Sequence, residues 1–449
     1  MVQANLGAAR VPLVWLHLMA SLGNVLSIGS CDSENGHAFL QALCRATFKL
    51  ERGFVLVKIV HVTNAVAPDK LGGLERYVRE LAARSVGHND KVAVVAKRTH
   101  DEQPEVEHAE DGVVIVRYSQ PNKRNPFFVF LYPFQVSFAV RRAISSAQAQ
   151  LGDSRSGTVY HAHFPIPAVA LALSRKRYVY TCHAPVYKEI LSERQGTYKL
   201  PSALQSLAVF AAKVVEAFVI RRASQIVTLS SFVRREVEEM GVSPRSEFAL
   251  IPGGIDTEYF DIDESVARSD TTLFAARRLV ERTGVEELVR AMPEVIRRHP
   301  GVQLRIAGQG PRKAAIESLI AAEGLGGNVI LIGRIPEQQL LMEYRRATIC
   351  VTPTKFLEGF GLSTAEALAC GSPVVVTPIG ANEEVVEGLP SGLVSRDSTA
   401  MGMADALSSL LADEAILKEA GHLARSHVHP RFSWPAVVAA HMELYTRAV

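Results

Sequence analysis

The stretch EGFGLSTAEALACGSPVVVT, residues 358–377, places a glycine-containing loop, a helical segment and a strand in succession. Alanine and leucine favour a helix in AEALAC, and Gly371 supplies a helix stop. SPVVVTP is a strand-length apolar run, and a similar run, TICVTP, precedes the loop. A strand, a helix and a further strand in this order predict one crossover unit of a parallel sheet.

The same alternation extends along the chain from Val57. The strand-length runs are VKIVHV, KVAVVA, TVYHAH, YVYTCH and QIVTLS in the first half, and TTLFAA, VQLRIAG, NVILIG, TICVTP and SPVVVTP after Ser269. Two such series predict an α/β protein with two Rossmann-like, doubly wound domains that face each other across a cleft. We expect an N-terminal domain at 57–253, a second domain at 254–430, and a C-terminal helix at 431–449 that returns towards the first domain.

Composition narrows the class of protein. With 449 residues, 48% hydrophobic and 21% charged, the chain suits a globular protein of two domains. The net charge of +3, from 49 basic and 46 acidic residues, gives no case for nucleic-acid binding. The five cysteines contain no C-x-x-C pair, which argues against a disulfide framework or zinc site and favours the reducing cytoplasm.

Residues 1–56 differ from the rest of the sequence. An apolar run, VPLVWLHLMASLGNVLSIGSC, follows Arg10 and resembles a signal or anchor segment. The globular pattern begins cleanly at Val57, so an upstream, mis-assigned start explains the extension equally well. We therefore expect a disordered, targeting or mis-assigned extension, and a cytoplasmic protein with the inner face of the membrane as the alternative location.

Two glutamates, Glu358 and Glu366, flank the loop, and the sequence supports a different interpretation for each. Ser363 and Glu366 have the spacing of a capping box, which would make Glu366 structural. Glu358 has no such role, and it precedes Gly359 and Gly361, which would let backbone N–H groups approach a ligand at a helix N-terminus. Carboxylates accept hydrogen bonds from hydroxyls, so the segment predicts a ligand with a sugar and a phosphate.

Two further segments follow predicted strands and could bind phosphate. Gly72 and Gly73 lead directly into a helix N-terminus, which predicts either a phosphate site or a tight turn. Arg277, Arg278 and Arg282 gather after the first strand of the second half, where a developing diphosphate charge would need cations. The alternative is that they are ordinary surface arginines.

Histidines end two of the predicted strands. His183 follows YVYTC, and His161 and His163 end TVYHAH; the end of a strand suits chemistry better than the face of a helix. We favour a functional role for His183 and leave structural and functional roles open for the other two. Asp261 and Asp263 spell a D-x-D, but they lie in the interdomain stretch, so we expect a solvated linker and no metal.

Residues 122–143, NKRNPFFVFLYPFQVSFAVRRA, interleave aromatic and basic side chains. Burial in the core is the ordinary role of such aromatics. An apolar patch with a basic rim would instead suit a membrane surface or a lipid-linked acceptor.

From about Val57 to the C-terminus, these stretches resemble the retaining GT-B glycosyltransferases of family 4. The resemblance rests on GGLERYVRELA, the strand-end His183, IPGGIDTEYF, RRLVERTGV, AGQGP and, above all, the two glutamates separated by seven residues in EGFGLSTAE. It implies a hexosyltransferase with a UDP- or GDP-linked sugar donor held mainly by the second domain. The acceptor, a glycan, a lipid-linked molecule or a small molecule, would be held mainly by the first.

The resemblance also implies roles for individual residues, with Glu358, His183 and Arg278 as the catalytic group. By this resemblance, Glu358 would contact the hexose hydroxyls and Glu366 the ribose diol. The sugar would also meet the backbone N–H groups of Gly359, Phe360, Gly361 and Leu362, and the diphosphate would meet Gly72, Gly73, Arg278 and Arg282. The base would lie near Ile335 and Arg334. His183 would lie near the C6 side of the sugar and the leaving phosphate. No cofactor and no metal are expected.

One position departs from the family pattern. Thr283 stands where the family usually has a lysine for the diphosphate, and Arg282 or Arg277 could supply that charge instead. Two other functions fit the same architecture: a UDP-sugar epimerase, and a non-catalytic scaffold that retains a nucleotide-sugar pocket. The sequence shows no extra pair of carboxylates that an epimerase would need. The intact Glu358, Glu366, Arg278 and His183 argue against a scaffold.

Overall fold

The computed structural model describes residues 57–70, 72–86, 91–119, 128–152, 157–174, 176–192, 202–242 and 248–448. The predictions for residues 1–56 and for Phe127 lie outside this range, as do the side chains of residues 128–134. Cys182, Cys350 and Cys370 are buried free thiols, so the described cysteines form no disulfide framework.

The first half of the chain forms a sheet of eight strands covered by helices. The strands are β1 (Lys58–Val62), β2 (Lys91–Lys97), β3 (Val106–His108), β4 (Val114–Tyr118), β5 (Thr158–Ala162), β6 (Tyr178–Cys182), β7 (Gln225–Thr228) and β8 (Phe248–Leu250). Their order is β3-β4-β2-β1-β5-β6-β7-β8, parallel except for the antiparallel pair β3–β4. The helices are α1 (Gly73–Val86), α2 (Phe128–Gln150), α3 (Pro165–Ala172), α4 (Val186–Ser192), α5 (Ser202–Arg222) and α6 (Ser231–Glu238).

The second half forms a parallel sheet of five strands in the order β11-β10-β9-β12-β13. The strands are β9 (Thr272–Ala276), β10 (Gln303–Ala307), β11 (Val329–Gly333), β12 (Ile349–Thr352) and β13 (Val374–Val376). The helices are α7 (Val285–Arg298), α8 (Lys313–Ala322), α9 (Glu337–Arg346), α10 (Leu362–Ala369), α11 (Asn382–Val386), α12 (Ala400–Ala412), α13 (Glu414–Val428) and α14 (Trp434–Ala448).

The two sheets confirm the predicted α/β fold class, and each of the ten predicted strands is present within a residue or two at its ends. The predicted set lacked β3, β4 and β8. The first and last of these have only three residues each at the sheet edges, too few to show an alternation. The β4 segment, VIVRY, is fully buried and meets the same criterion as the strands that were predicted.

One apolar cluster joins the two halves. It runs from α1, through Leu81, to the loop before α10 at Phe360 and on to Trp434 of α14. Full burial of one such side chain contributes about 1.5–3 kcal/mol to stability, so this shared cluster holds the carboxyl ends of the two sheets in a defined relation. Helix α14 packs against α1, and the Tyr77 hydroxyl lies 3.2 Å from His441 Nε2.

A carboxylate of the second half also caps a helix of the first. Glu384 in α11 accepts hydrogen bonds from the backbone N–H groups of Ser231 and Phe232, at 2.7 Å each. These are orphan donors of the first turn of α6, where a negative charge also meets the positive end of the helix dipole. The cap therefore fixes the second half to a helix that follows β7.

At Gly254, in the connection between the halves, there is no room for an added methyl group. A Cβ at Gly254 would lie 2.5 Å from the ring of Trp434, whereas a Cβ at Gly326 would meet nothing within 4 Å. We expect Gly254→Ala to lower the free energy of unfolding by about 1–3 kcal/mol, because the indole ring must shift within a packed core. Denaturant unfolding checks this, with Gly326→Ala as the matched control; equal stability of the two variants would contradict it.

Candidate active site

The carboxyl edge of the second sheet holds the first group of predicted residues. Strands β9 and β12 are neighbours at the point where the strand order reverses, the usual ligand position in such sheets. Arg277 follows β9 and Thr354 follows β12. Between them lies Glu358, whose Oε2 accepts hydrogen bonds from Arg277 at 2.6 Å and from the Thr354 hydroxyl at 3.2 Å.

The charge of Glu358 is set by these arginines. Burial alone would raise its pKa, but Arg277 and, secondarily, Arg282 hold the pKa below its ordinary value, so the carboxylate stays ionised at neutral pH. The residue before it, Leu357, has a φ of 53°, in the left-handed region that a branched side chain rarely adopts. Its carbonyl accepts a hydrogen bond from Arg282 at 3.2 Å. Such strain persists only where the surroundings over-determine it, and it is common at functional loops.

Gly359, the residue after Glu358, lies at a contact between the two halves. A Cβ at Gly359 would lie 2.1 Å from the carbonyl oxygen of His183, the residue that follows β6. The Ser230 hydroxyl donates a hydrogen bond to the Gly359 carbonyl at 2.8 Å. Phe360 turns into the shared core against Phe432, so only its backbone could reach a ligand.

The capping-box interpretation of Ser363 and Glu366 is wrong. Helix α10 begins at Leu362, after Gly361 with a φ of 96°, and no side chain caps it. The Ser363 hydroxyl instead accepts a hydrogen bond from Arg277 at 3.2 Å. Glu366, one turn further on, points away from the helix start to other partners.

Those partners are Arg76, at 3.2 Å from Oε1, and the Tyr344 hydroxyl, at 3.1 Å from Oε2. Burial raises the pKa of Glu366, and Arg76 opposes the shift. Arg76 lies in α1 and also binds Glu337, the first residue of α9, at 2.6 Å. Arg76 was not predicted, because only the glycines of GGLERYV suggested a ligand site. Ile335, just before α9, packs at the edge of the shared core.

The glycines at the start of α1 have two different neighbours. A Cβ at Gly73 would lie 3.4 Å from the Leu362 side chain, so the N-termini of α1 and α10 face each other closely. A Cβ at Gly72 would instead lie 2.2 Å from Oε2 of Glu75, which is buried and bound to Lys70 at 2.6 Å. The absence of a side chain at Gly72 thus makes room for a carboxylate of the same helix.

The three predicted arginines have separate surroundings. Arg277 is bound to Glu358, and Arg282 is bound to the carbonyl of Leu357. The Arg278 side chain is exposed and has no recorded partner among the described residues. Thr283 is buried, and its hydroxyl donates to the Arg278 carbonyl at 2.6 Å, which closes the turn before α7.

Three histidines form a chain that leads from the first sheet to the loop. His61 Nδ1 lies 3.0 Å from His163 Nε2, and His163 Nδ1 lies 3.4 Å from His183 Nε2. His61 is in β1, whereas the other two follow β5 and β6, so the chain crosses the switch point of the first sheet. The structure thus brings His163 and His183 together.

A fourth histidine, His161, lies beside them. Ring nitrogens of His61, His161 and His163 come within 4.8 Å of one another, close enough to suggest a metal site. However, both nitrogens of His161 already have partners at 2.6 Å, the hydroxyls of Thr181 and Tyr445. The geometry is therefore that of a hydrogen-bonded network.

The D-x-D segment has a structural partner. Arg345 of α9 forms ion pairs with Asp261 and with Asp263, the latter at 3.2 Å. The segment therefore ties the connection between the halves to the second sheet's helix layer.

Burial keeps the histidines neutral. It lowers the pKa of His61 and of His183 to about 3 and that of His441 to about 4, with repulsion from His441 adding to the first two. His161 and His163 are lowered in the same direction for the same reason. In this structure His183 is therefore an uncharged hydrogen-bonding group at neutral pH.

Models of known protein families match most of the chain. Residues 260–427 match the model of Glycosyl transferases group 1, and residues 71–259 match that of Glycosyltransferase Family 4. The chain belongs to the family 4 glycosyltransferases. The predicted family, enzyme class and GT-B architecture are thereby confirmed.

Similar proteins match this glycosyltransferase over most of its length. Glycogen synthase of Mycobacterium tuberculosis is 26% identical over 87% of the chain and 95% of its own length. A GDP-mannose-dependent phosphatidylinositol monomannoside mannosyltransferase of Corynebacterium glutamicum is 28% identical over 84% and 94%. Among solved structures, sucrose-phosphate synthase of Thermosynechococcus elongatus has a TM-score of 0.71 at 22% identity, covering 87% and 98%, which shows the common fold.

The buried histidines predict a pH dependence of stability. Their pKa is lower in the folded than in the unfolded state, so the unfolded chain takes up more protons as pH falls below about 6.5, and stability is lost in that direction. Each histidine that stays neutral in the folded state lowers the free energy of unfolding by about 1.4 kcal/mol for each pH unit below about 6.5. Burial raises the pKa of Glu216 to about 7 and also raises that of Glu366, and these two carboxyls act in the opposite sense to the five buried histidines. Thermal unfolding between pH 8 and pH 5 checks this; a melting temperature that rises towards pH 5 would contradict it.

Glu358 gives a direct test of the loop. We expect Glu358→Gln to lower the rate of glycosyl transfer by about tenfold to a hundredfold, because a charged acceptor becomes a neutral amide. Turnover of the bound donor measures this, with the exposed Glu387→Gln as the control and the melting temperature as a check of folding. Near-normal turnover by a folded Glu358→Gln enzyme would remove Glu358 from the site.

Proposed function

We propose that the enzyme transfers a hexosyl group from a UDP- or GDP-linked sugar to a glycan, lipid-linked or small-molecule acceptor, with retention at the anomeric carbon and without a metal. The observation that carries this proposal is the meeting of the α1 and α10 N-termini beside Glu358. At that point Gly73 lies close to Leu362, and Gly359 lies against His183. Two helix N-termini form an anion site for a diphosphate, and the adjoining carboxylate suits a sugar.

Glu358 is held ready for a hydroxyl. Both of its recorded hydrogen bonds go to Oε2, so Oε1 remains available to a donor hexose. Arg277 fixes the carboxylate without covering it, which is the positioning that transfer needs. Glu366 has both oxygens occupied, and a ribose diol there would share the carboxylate with Arg76 and Tyr344.

The leaving group is a nucleoside diphosphate, on which negative charge increases as the bond to the anomeric carbon breaks. Arg278, exposed after β9, and the two helix N-termini would stabilise that charge. Retention would follow from front-face displacement. The acceptor oxygen bonds to the anomeric carbon on the face that the phosphate leaves, and the phosphate oxygen takes the acceptor proton. His183, uncharged, would hydrogen-bond to the sugar or the phosphate.

The donor can be identified by ligand-induced stabilisation. The Anabaena protein HepE, 17% identical with a TM-score of 0.64, was solved with UDP-glucose, and the Corynebacterium glutamicum relative is named for GDP-mannose. We would therefore test UDP, GDP and ADP and their sugars against the full chain, since a ligand that binds the folded state raises the melting temperature. The selected donor would then be assayed for transfer, with and without a chelator, and the anomeric configuration of the product read by NMR.

The outcomes separate the candidate functions. A retained anomer that forms equally well with chelator supports the proposal, and an inverted anomer or a strict metal requirement contradicts it. Interconversion of the donor sugar without transfer would indicate the epimerase. Binding without any turnover, over a range of acceptors, would indicate the non-catalytic scaffold.

Arg278 tests the diphosphate site. We expect Arg278→Ala to weaken binding of the nucleoside diphosphate by about tenfold to a hundredfold, because a charge-assisted hydrogen bond is lost. Isothermal titration measures the affinity, and Arg346→Ala serves as the control, since this exposed arginine lies at the far end of α9. Equal affinity of the two variants would exclude Arg278 from the phosphate site.

A further inference from the structure

Three helices, α2, α3 and α5, cover one face of the first sheet, with α3 packed between the other two. Their outward side, here called the outer helical face, exposes large apolar side chains. These are Phe138 (73% exposed), Leu173 at the end of α3 (50%), Leu207 (62%), Phe210 (65%) and Val214 (50%). Phe138 is the one aromatic residue of the segment 122–143 whose side chain the structure describes.

The spacing on α5 makes these residues one stripe. Leu207, Phe210 and Val214 stand at positions i, i+3 and i+7, which lie on the same side of a helix. The opposite side of α5 is also apolar, and its Val219 and Ile220 are buried in the core of the first sheet. A helix that is apolar on both sides has more apolar surface than its own fold uses.

The charge on this face has one sign. Helices α2 and α3 contain no Asp or Glu, and the single carboxylate of α5, Glu216, is fully buried. Glu216 accepts hydrogen bonds from the Val186 backbone at 2.9 Å and from the Tyr180 hydroxyl at 3.2 Å. The exposed charged residues of α2 and α5 are Arg141, Arg142, Arg221 and Arg222. The described part of these helices therefore presents no negative charge outward.

We propose that the outer helical face binds peripherally to the surface of an anionic lipid bilayer. Exposed Leu, Phe and Val side chains would enter the boundary between headgroups and acyl chains, and the arginines would meet lipid phosphates. No described helix is long and apolar enough to cross a membrane.

The charge pattern favours a membrane over a second copy of the chain. In a two-fold dimer the same face would meet itself, so the arginines of one copy would approach those of the other. Like charges brought together at an interface oppose association. An anionic bilayer instead complements both the apolar and the basic side chains.

The position of the face relates it to the site. Helices α2 and α5 lead into β5 and β7 of a parallel sheet, so they start near the carboxyl edge, where His183 lies. A bilayer against this face would present a lipid-linked acceptor at that edge. Membrane binding itself does not require the proposed sugar transfer, so the two can fail separately.

Vesicle co-sedimentation of the full chain tests the proposal. We expect binding to vesicles of phosphatidylcholine mixed with phosphatidylglycerol, weak binding to phosphatidylcholine alone, and weakening by salt. The combined variant Leu207→Ser, Phe210→Ser, Val214→Ser should lower the partition coefficient on anionic vesicles by about tenfold or more. Arg141→Glu with Arg142→Glu should lower it as well, because the attraction to lipid phosphate is lost.

The matched control is Leu250→Ser with Met401→Ser, which removes two exposed apolar side chains from other parts of the surface. This control should bind vesicles like the unchanged chain, and melting temperatures show whether each variant folds. Failure of the unchanged chain to bind anionic vesicles would overturn the proposal, and so would equal binding by the α5 variant. A self-associated chain that the α5 variant converts to monomer, with no vesicle binding, would identify the face as a dimer interface instead.

Discussion

The contact on which the site depends is the close approach of Gly359 to the carbonyl of His183. No side chain fits between them, since a Cβ at Gly359 would lie 2.1 Å from that oxygen. The hydrogen bond from Ser230 to the Gly359 carbonyl and the cap that Glu384 places on α6 hold the same region from both sides. A loop of the second half thus contacts a strand end of the first, and Glu358 directly precedes the residue that makes this contact.

The histidine network links this contact to the first sheet. His163 is neutral and so carries one ring hydrogen, yet both of its nitrogens face another imidazole. The hydrogens along His61, His163 and His183 must therefore all point the same way. At one end of the chain, His61 Nε2 is buried and has no hydrogen-bond partner among the described residues. Buried polar networks of this kind fix orientation at a cost in desolvation.

The sequence could predict the elements that local patterns define and missed those that the tertiary structure creates. The strands were predictable because they are short, apolar and buried, whereas the role of Glu358 in the site stays a prediction. The partner of Glu366 was not predictable, since Arg76 is 290 positions away along the chain. The capping box failed for the same reason: Ser363 has a geometric alternative in Arg277, which only the folded sheet brings near.

The arrangement of cations shows how the proposed diphosphate site would accommodate a threonine at position 283. Arg277 neutralises Glu358, and Arg282 holds the strained Leu357 through its carbonyl, so both are used to build the loop. Thr283 contributes a hydroxyl to the turn that presents Arg278. Within the described part of this cluster, Arg278 is then the arginine left for a ligand. A site with one such cation must take the rest of its positive potential from oriented backbone N–H groups. In the proposed site, the close packing of the α1 and α10 N-termini would supply those groups.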